Sequence, residues 1–86
     1  MPTTISRTTY DNSIVVPVIA SFDNDGHILP LYVRIDGEPY KIRSAWLKPS
    51  FSSCFIFHCQ IEDAGVIKHL MLTYHQQESV WTIPKS

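Results

Sequence analysis

Two cysteines and four histidines are the residues with which this 86-residue chain could build a metal or nucleophilic site. Both cysteines lie in the run SCFIFHCQIE at 53–62, which also contains His58. Thiol and imidazole groups bind soft metal ions, and a thiol beside an imidazole can act as a nucleophile with its base. Zinc ligands usually come in close pairs such as CxxC or HxxxH, and the sequence contains neither. Spacing alone therefore does not predict a metal site.

Strand alternation separates the two cysteines. Side chains of a strand point to opposite faces in turn, so Cys59 shares the apolar face of Phe55, Phe57 and Ile61, whereas Cys54 shares the other face with His58. Cys59 is thus predicted to be a small core residue, and a disulfide across one unbroken strand is excluded. Residues 54 and 58 are about 13 Å apart at about 3.3 Å per residue, too far for one ion.

The next strand gives Cys54 a partner. With Ala64-Gly65 at the tip of a hairpin, Cys54 lies opposite His75, and apolar residues face apolar residues. A three-residue turn would instead set Cys59 against a histidine. Cys54 and His75 are therefore the candidate metal ligands and a nominal nucleophile–base pair. No third orienting group and no oxyanion-hole turn are evident, so we expect no metal, no cofactor and no enzymatic activity.

The basic residues offer a second candidate site. Four of the seven Lys and Arg residues fall within 34–48. Asp36-Gly37 is typical of a type I′ hairpin turn, in which both central residues need positive φ. That turn sets Ile35 opposite Glu38 and Tyr32 opposite Lys41. The predicted binding residues, on the outer face of this hairpin and at its end, are Tyr32, Arg34, Lys41, Arg43 and Trp46.

Two functions could use this surface. Tyr, Trp and Arg are enriched at interface centres, which favours a non-enzymatic protein-interaction or regulatory module that binds another protein. The alternative is a nucleic-acid-binding small barrel, because cations interleaved with aromatic rings can neutralise phosphates and stack on bases. The net charge of −1 removes the general attraction expected of a strongly basic nucleic-acid binder. Self-association through edge strands is a further expectation, with Pro84 ending one such edge strand.

The elements that must position these residues are strands. Runs rich in β-branched residues, or alternating in polarity, predict strands at 12–22, 27–36, 53–62, 66–75 and 80–84, and the partner strand of the 27–36 hairpin follows Gly37. A small sheet must curl to bury its apolar face, so we predict an all-β fold of five or six strands. An SH3-like, partly open barrel or a curled antiparallel meander fits best, and a five-stranded oligonucleotide-binding barrel is the second choice. Alternation in the second strand places Leu29, Leu31, Val33 and Ile35 inside and Pro30, Tyr32 and Arg34 outside.

The chain length favours a single domain. We expect a flexible polar arm at residues 1–11 and a small β-barrel domain at 12–86. No apolar run reaches the roughly 18 residues of a membrane span, and the polar start does not read as a secretory signal. Two cysteines cannot make a disulfide framework, so a cytoplasmic location is predicted.

The run SFDNDGHILPLYVRIDGEPYKI, followed by FHCQI, LTYH and VWTI, carries a resemblance. It resembles short bacterial proteins that share FD-x-DG-x-I-x-PL, then G-x-x-Y-x-I, an aromatic-x-Cys-x-Ile strand and a closing Tyr…Trp pair. No activity comes with the resemblance, in which Cys59 matches the shared cysteine and Cys54 does not. Genes of this kind often resemble accessory or mobile-element genes. The resemblance therefore implies a regulatory protein, such as an inhibitor, that acts by binding another protein.

Overall fold

Seven strands form the computed structural model, which describes residues 12–49 and 53–85. They are β1 (Ser13–Val16), β2 (Val18–Phe22), β3 (Ile28–Ile35), β4 (Glu38–Lys48), β5 (Cys54–Asp63), β6 (Val66–His75) and β7 (Val80–Pro84). The described ranges contain no helix that could cross a membrane. The predicted arm at 1–11 lies outside the described residues. The all-β prediction is confirmed.

The strands form one antiparallel sheet in the order β1-β7-β6-β5-β4-β3-β2. β1 and β2 lie at opposite edges, yet only Pro17 separates them along the chain. The sheet must therefore curl, and the result is an antiparallel half-barrel. Pro17 cannot donate to a ladder, but its carbonyl accepts the amide of Arg34 at 3.0 Å. The predicted 12–22 strand is thus two strands, which is why there are seven rather than five or six.

Two-residue turns close both long hairpins. Asp36 and Gly37 have φ of 53° and 82°, and Ala64 and Gly65 have φ of 52° and 82°, as a type I′ turn requires. The predicted pairs Ile35–Glu38 and Tyr32–Lys41 are present in the first hairpin. In the second, all ten pairs from Cys54–His75 to Asp63–Val66 form without a break. The predicted register is confirmed over all ten pairs of the second hairpin and, in the first, over the four pairs next to the turn; the expected continuation to Leu31–Ile42 and Pro30–Arg43 is not present.

Two bulges change which side chains face inward. Ile19 pairs with Tyr32 and the next residue of β2 pairs with Pro30, so Leu31 is an extra residue in β3. The bulge reverses the alternation before it: Pro30 is fully buried, and Leu29 is 47% exposed. The predicted faces of Leu29 and Pro30 are therefore wrong. A second bulge lies at Arg43 in β4, between the pairs that β4 makes with β5.

The position of β7 also differs from the prediction. β7 lies between β1 and β6, and Pro84 pairs with Ser13. The prediction that Pro84 ends an edge strand is therefore wrong. The sequence pattern could not show this, because β7 pairs with β1, a strand from the opposite end of the described chain. The edges belong to β1 and β2.

The core lies inside the curl and draws residues from six of the seven strands. Its buried hydrophobic members are Val16, Val33, Ile42, Phe57, Cys59, Ile61, Leu72, Trp81 and Ile83. Cys59 is 1% exposed, which confirms its predicted place in the core. Burial raises the pKa of the Cys59 thiol to about 11, because an apolar environment disfavours the thiolate.

Candidate functional site

A row of side chains crosses β2, β3 and β4 on the outer face. Ile19 lies opposite Tyr32, and Tyr32 lies opposite Lys41. Ile19 is 63% exposed and Tyr32 is 43% exposed, so an aliphatic and an aromatic side chain stand side by side in solvent. We call this row, together with the neighbouring pair Arg34 and Pro39, the hairpin face.

The hairpin face contains a shallow groove. Arg34 pairs with Pro39 one step from Tyr32. The groove has a volume of about 220 Å³, and its outer walls include Pro17, Ile19, Tyr32, Arg34 and Pro39. Its lining is mostly apolar, with one guanidinium. Arg34 also borders a larger cavity of about 540 Å³, which opens beside the Asp36-Gly37 turn and is lined mainly by apolar residues.

The ion pairs among the described residues do not include the cations of the hairpin face. Over residues 12–49 and 53–85, the ion pairs are His27–Asp23, Arg43–Glu62 and Lys68–Asp63. Neither Arg34 nor Lys41 is within 4.0 Å of a carboxylate in that part of the chain. Two cations without a carboxylate within 4.0 Å in these ranges therefore lie beside the exposed pair Ile19 and Tyr32.

The other two predicted binding residues lie apart from this groove. Arg43, at the β4 bulge, is exposed, and its guanidinium pairs with the carboxylate of Glu62 on β5. Trp46, 51% exposed, stacks on His58 with ring centroids 6.3 Å apart and an interplanar angle of 17°. It lies about 16 Å along the strand from Lys41 at about 3.3 Å per residue. The structure thus brings together Tyr32, Arg34 and Lys41, but not Trp46.

Sequence reasoning missed Ile19 and Pro39 as parts of this surface. Ile19 belongs to a run of β-branched residues that is typical of a buried strand, so its sequence gave no signal of exposure. The signal lies in the pairing, because the β3 bulge sets which β2 residue shares the outer face with Tyr32. Pro39 could have been found from the type I′ register, which places it opposite Arg34.

A second cluster of polar side chains crosses β5, β6 and β7 on the same outer face. Cys54 and His75 are cross-strand partners, and Sγ of Cys54 is 3.3 Å from Nδ1 of His75. Nε2 of His75 is 2.9 Å from Oγ1 of Thr82, which is only 1% exposed. We call this set the Cys–His–Thr relay. Thr82 is the orienting group that the sequence did not reveal, since its place depends on the register between β6 and β7.

The connection between β2 and β3 also brings potential metal ligands together. Within the described ranges, one group of at least three potential ligands has its donor atoms within 4.8 Å of one another: Asp23, Asp25 and His27, all exposed. Cys54 and His75 do not belong to such a group there. The carboxylate of Asp23 accepts the amides of Asp25 at 2.9 Å and His27 at 2.8 Å, so turn formation accounts for this cluster.

Hydrogen bonds stabilise the ionised form of the Asp23 carboxylate. The backbone hydrogen bond from His27 is the main cause that lowers the pKa of Asp23, and a side-chain hydrogen bond from His27 adds to it. Hydrogen bonding to the charged form of an acid favours ionisation. The Asp23 carboxylate therefore stays ionised to lower pH than an ordinary aspartate.

The chain was compared with known proteins on three levels. No family model, no curated protein and no solved structure matches it.

Proposed function

We propose that this chain is a non-enzymatic interaction module that binds an acidic segment of another protein on its hairpin face. The observation that carries the proposal is the exposed pair Ile19 and Tyr32 beside Arg34 and Lys41, neither of which is within 4.0 Å of a carboxylate among the described residues. Apolar and aromatic side chains beside Arg are typical of interface centres. The two cations favour a partner of negative charge.

The groove suggests how such a segment is held. An apolar side chain of the partner packs between Ile19, Tyr32 and Pro39, and burying a side chain of that size contributes about 1.5–3 kcal/mol before the costs of association. A carboxylate of the partner pairs with Arg34, whose planar guanidinium can donate two parallel hydrogen bonds. Lys41 adds attraction to a second acidic group. Arg34 and Tyr32 are expected to be the main contributors to affinity.

Local charge favours an acidic protein segment over nucleic acid. Glu62 neutralises Arg43, and Trp46 lies far from the groove, so the cations and rings do not form one continuous track for a phosphate backbone. The net charge of −1 gives no general attraction to phosphates. Nucleic acid is therefore the competing outcome of the test rather than the proposal.

The proposal also includes a fold class and a cellular location. We assign the half-barrel to the SH3-like class because it is a small, curled antiparallel sheet in which β2 to β7 pair in chain order. A module without catalytic function would regulate its partner by occupying the partner's surface. We place it in the cytoplasm, since two cysteines on opposite faces of β5 provide no disulfide framework.

Selection from a display library of short random peptides tests the proposal. The expected result is enrichment of peptides with Asp or Glu beside Leu, Phe or Trp. The double variant Arg34→Glu/Lys41→Glu should weaken their binding by about tenfold or more, as for the loss of charge-assisted hydrogen bonds. The variant Lys48→Glu/Lys85→Glu makes the same change in net charge at two other exposed lysines and should bind as the wild type does.

Three outcomes would contradict the proposal. The first is the absence of enriched peptides, and the second is enrichment of peptides that bind the Arg34→Glu/Lys41→Glu variant equally well. The third concerns labelled single- and double-stranded oligonucleotides at about 50 mM salt. Tight binding that falls steeply with added salt, and that is lost in the same double variant, would replace the acidic protein segment with nucleic acid.

A further inference from the structure

The Cys–His–Thr relay is a cluster that the proposed binding function does not use. Cys54 begins β5, His75 ends β6 and Thr82 lies in β7, so three neighbouring strands each supply one side chain. The long β5–β6 ladder keeps Cys54 and His75 in register across ten pairs. The relay is therefore fixed by the sheet itself.

The contacts that His75 makes with Cys54 and Thr82 are compatible with a proton on Nε2. When Nε2–H donates to Oγ1 of Thr82, Nδ1 keeps its lone pair toward the thiol of Cys54, 3.3 Å away. The same Nε2–H bond persists when His75 is protonated at both nitrogens. With this tautomer, Thr82 orients the imidazole so that Nδ1 can take a proton from sulfur, and Thr82 is a positioning residue because it acts through His75.

From this geometry we infer that Cys54 is a reactive thiol that forms mixed disulfides with low-molecular-weight disulfides, with His75 as its base. The inference does not depend on the proposed binding function. It assigns a site of reversible covalent modification to the end of the β5–β6 hairpin opposite its turn.

The exchange step balances without any other reactant. Nδ1 of His75 takes the proton of Sγ, and the thiolate attacks one sulfur of the disulfide RSSR. A bond forms between Sγ and that sulfur while the S–S bond of RSSR breaks. The departing RS⁻ takes the proton from His75 and leaves as RSH. The Cys54 sulfur is oxidised, and the released half of RSSR is reduced.

Cys59 is the internal control for this chemistry. It lies in the same strand, five residues away, but it faces the core and is 1% exposed. Its raised pKa of about 11 keeps the thiol protonated near neutral pH. Cys59 should therefore stay unreactive while the protein is folded.

The test uses dithiodipyridine as the probe, since thiopyridone release gives the rate of exchange. Cys59→Ser, which keeps Cys54, should react at the initial rate of the wild type, and Cys54→Ser should react at least about tenfold more slowly. In the Cys59→Ser background, His75→Gln should slow the reaction by about tenfold or more, since a positioned base contributes that much or more. Thr82→Val should also slow it, and Thr82→Ser should restore the rate because it keeps the hydroxyl.

Two measurements keep the test decisive if a variant is destabilised. Each variant is also assayed unfolded in urea, where all single-cysteine forms should react at the same rate. Mass spectrometry with fragmentation between residues 54 and 59, after treatment with oxidised glutathione, should place one adduct on Cys54. Equal folded-state rates for Cys54→Ser and Cys59→Ser would overturn the inference, as would an unchanged rate in His75→Gln or an adduct on Cys59.

Discussion

The two long hairpins of this protein have the same turn and different ladders. Both turns have a residue with φ near 50° followed by glycine at 82°. The β5–β6 ladder then continues for ten pairs, whereas the β3–β4 pairing stops at Tyr32 and Lys41 after four. The bulges at Leu31 and Arg43 lie just beyond that point. A turn therefore fixes register near itself, and the strands on the other side decide how far that register continues.

The difference also separates two kinds of surface. The unbroken ladder carries the Cys54–His75 contact at its far end, where a slip of one residue would separate the two side chains. The interrupted hairpin instead exposes an apolar and aromatic row between two cations. The regular hairpin positions a short-range contact, and the bulged hairpin presents the surface that we propose as the binding site for a partner.

The largest expected effect comes from the core side of the unbroken ladder. Leu72, opposite Phe57, is 0% exposed, so Leu72→Ala should lower the free energy of unfolding by about 2–5 kcal/mol in urea titrations. Ile67→Ala, on the exposed face of the same strand, should change it by about 0.5 kcal/mol or less. If Leu72→Ala does not fold, Leu72→Val gives a smaller loss to measure. Equal losses at positions 67 and 72 would contradict the assigned faces.

The next effect tests whether the two turns are equivalent. Gly37→Ala and Gly65→Ala should each lower the free energy of unfolding by about 1–2 kcal/mol, because alanine at positive φ is strained. A Cβ at either glycine would meet no atom within 4 Å, so the loss is a backbone effect and should be similar in both hairpins. Asparagine at either position should cost less, since it tolerates this conformation. Widely different losses would show that the turns are not equivalent.

A smaller effect concerns the cation at the β4 bulge. Glu62→Gln removes the carboxylate that Arg43 pairs with, and both side chains are about half exposed. Exposed ion pairs contribute about 0–1 kcal/mol to stability, so the free energy of unfolding should change by less than about 1 kcal/mol. Binding of acidic peptides should become tighter, because Arg43 then adds to the local positive charge. If the free energy of unfolding falls by much more than about 1 kcal/mol while peptide binding is unchanged, this expectation is contradicted. Glu62 would then act on stability and not on the charge near the hairpin face.

The smallest effect is confined to acid and to the connection between β2 and β3. Because the pKa of Asp23 is lowered, its hydrogen bonds stabilise the fold fully above the ordinary value of 3.8 and are lost as the pH falls through the folded-state pKa. The amide shifts of Asp25 and His27 should titrate with a midpoint below 3.8. Asp23→Asn should abolish that titration. A midpoint at or above 3.8 would contradict the assigned hydrogen bonds.

Turn chemistry and alternation were enough to predict much of the fold. Asp36-Gly37 and Ala64-Gly65 gave the hairpins and their registers, and Cys59 was placed in the core correctly. Local sequence patterns could not predict the pairings between strands that are distant in sequence. The return of β1 to β7 and the bulge at Leu31 depend on strands that are distant in sequence.

The same limit applies to the candidate sites. Cys54 opposite His75 followed from one turn, and Tyr32 opposite Lys41 followed from the other. Thr82 and Ile19 each come from a third strand, whose register no local signal gives. The sequence therefore predicted two neighbouring residues in each candidate site. The third residue became evident only from the structure, which shows where the third strand pairs.

The central claim, that the hairpin face binds an acidic segment, is tested most directly by a charge exchange. One selected acidic peptide and its lysine-for-acid counterpart are titrated calorimetrically into the wild type and the Arg34→Glu/Lys41→Glu variant. The wild type should bind the acidic peptide and not the basic one, and the variant should show the reverse preference, which isolates the pairwise charge contacts. Equal affinity of wild type and variant for the acidic peptide would contradict the claim.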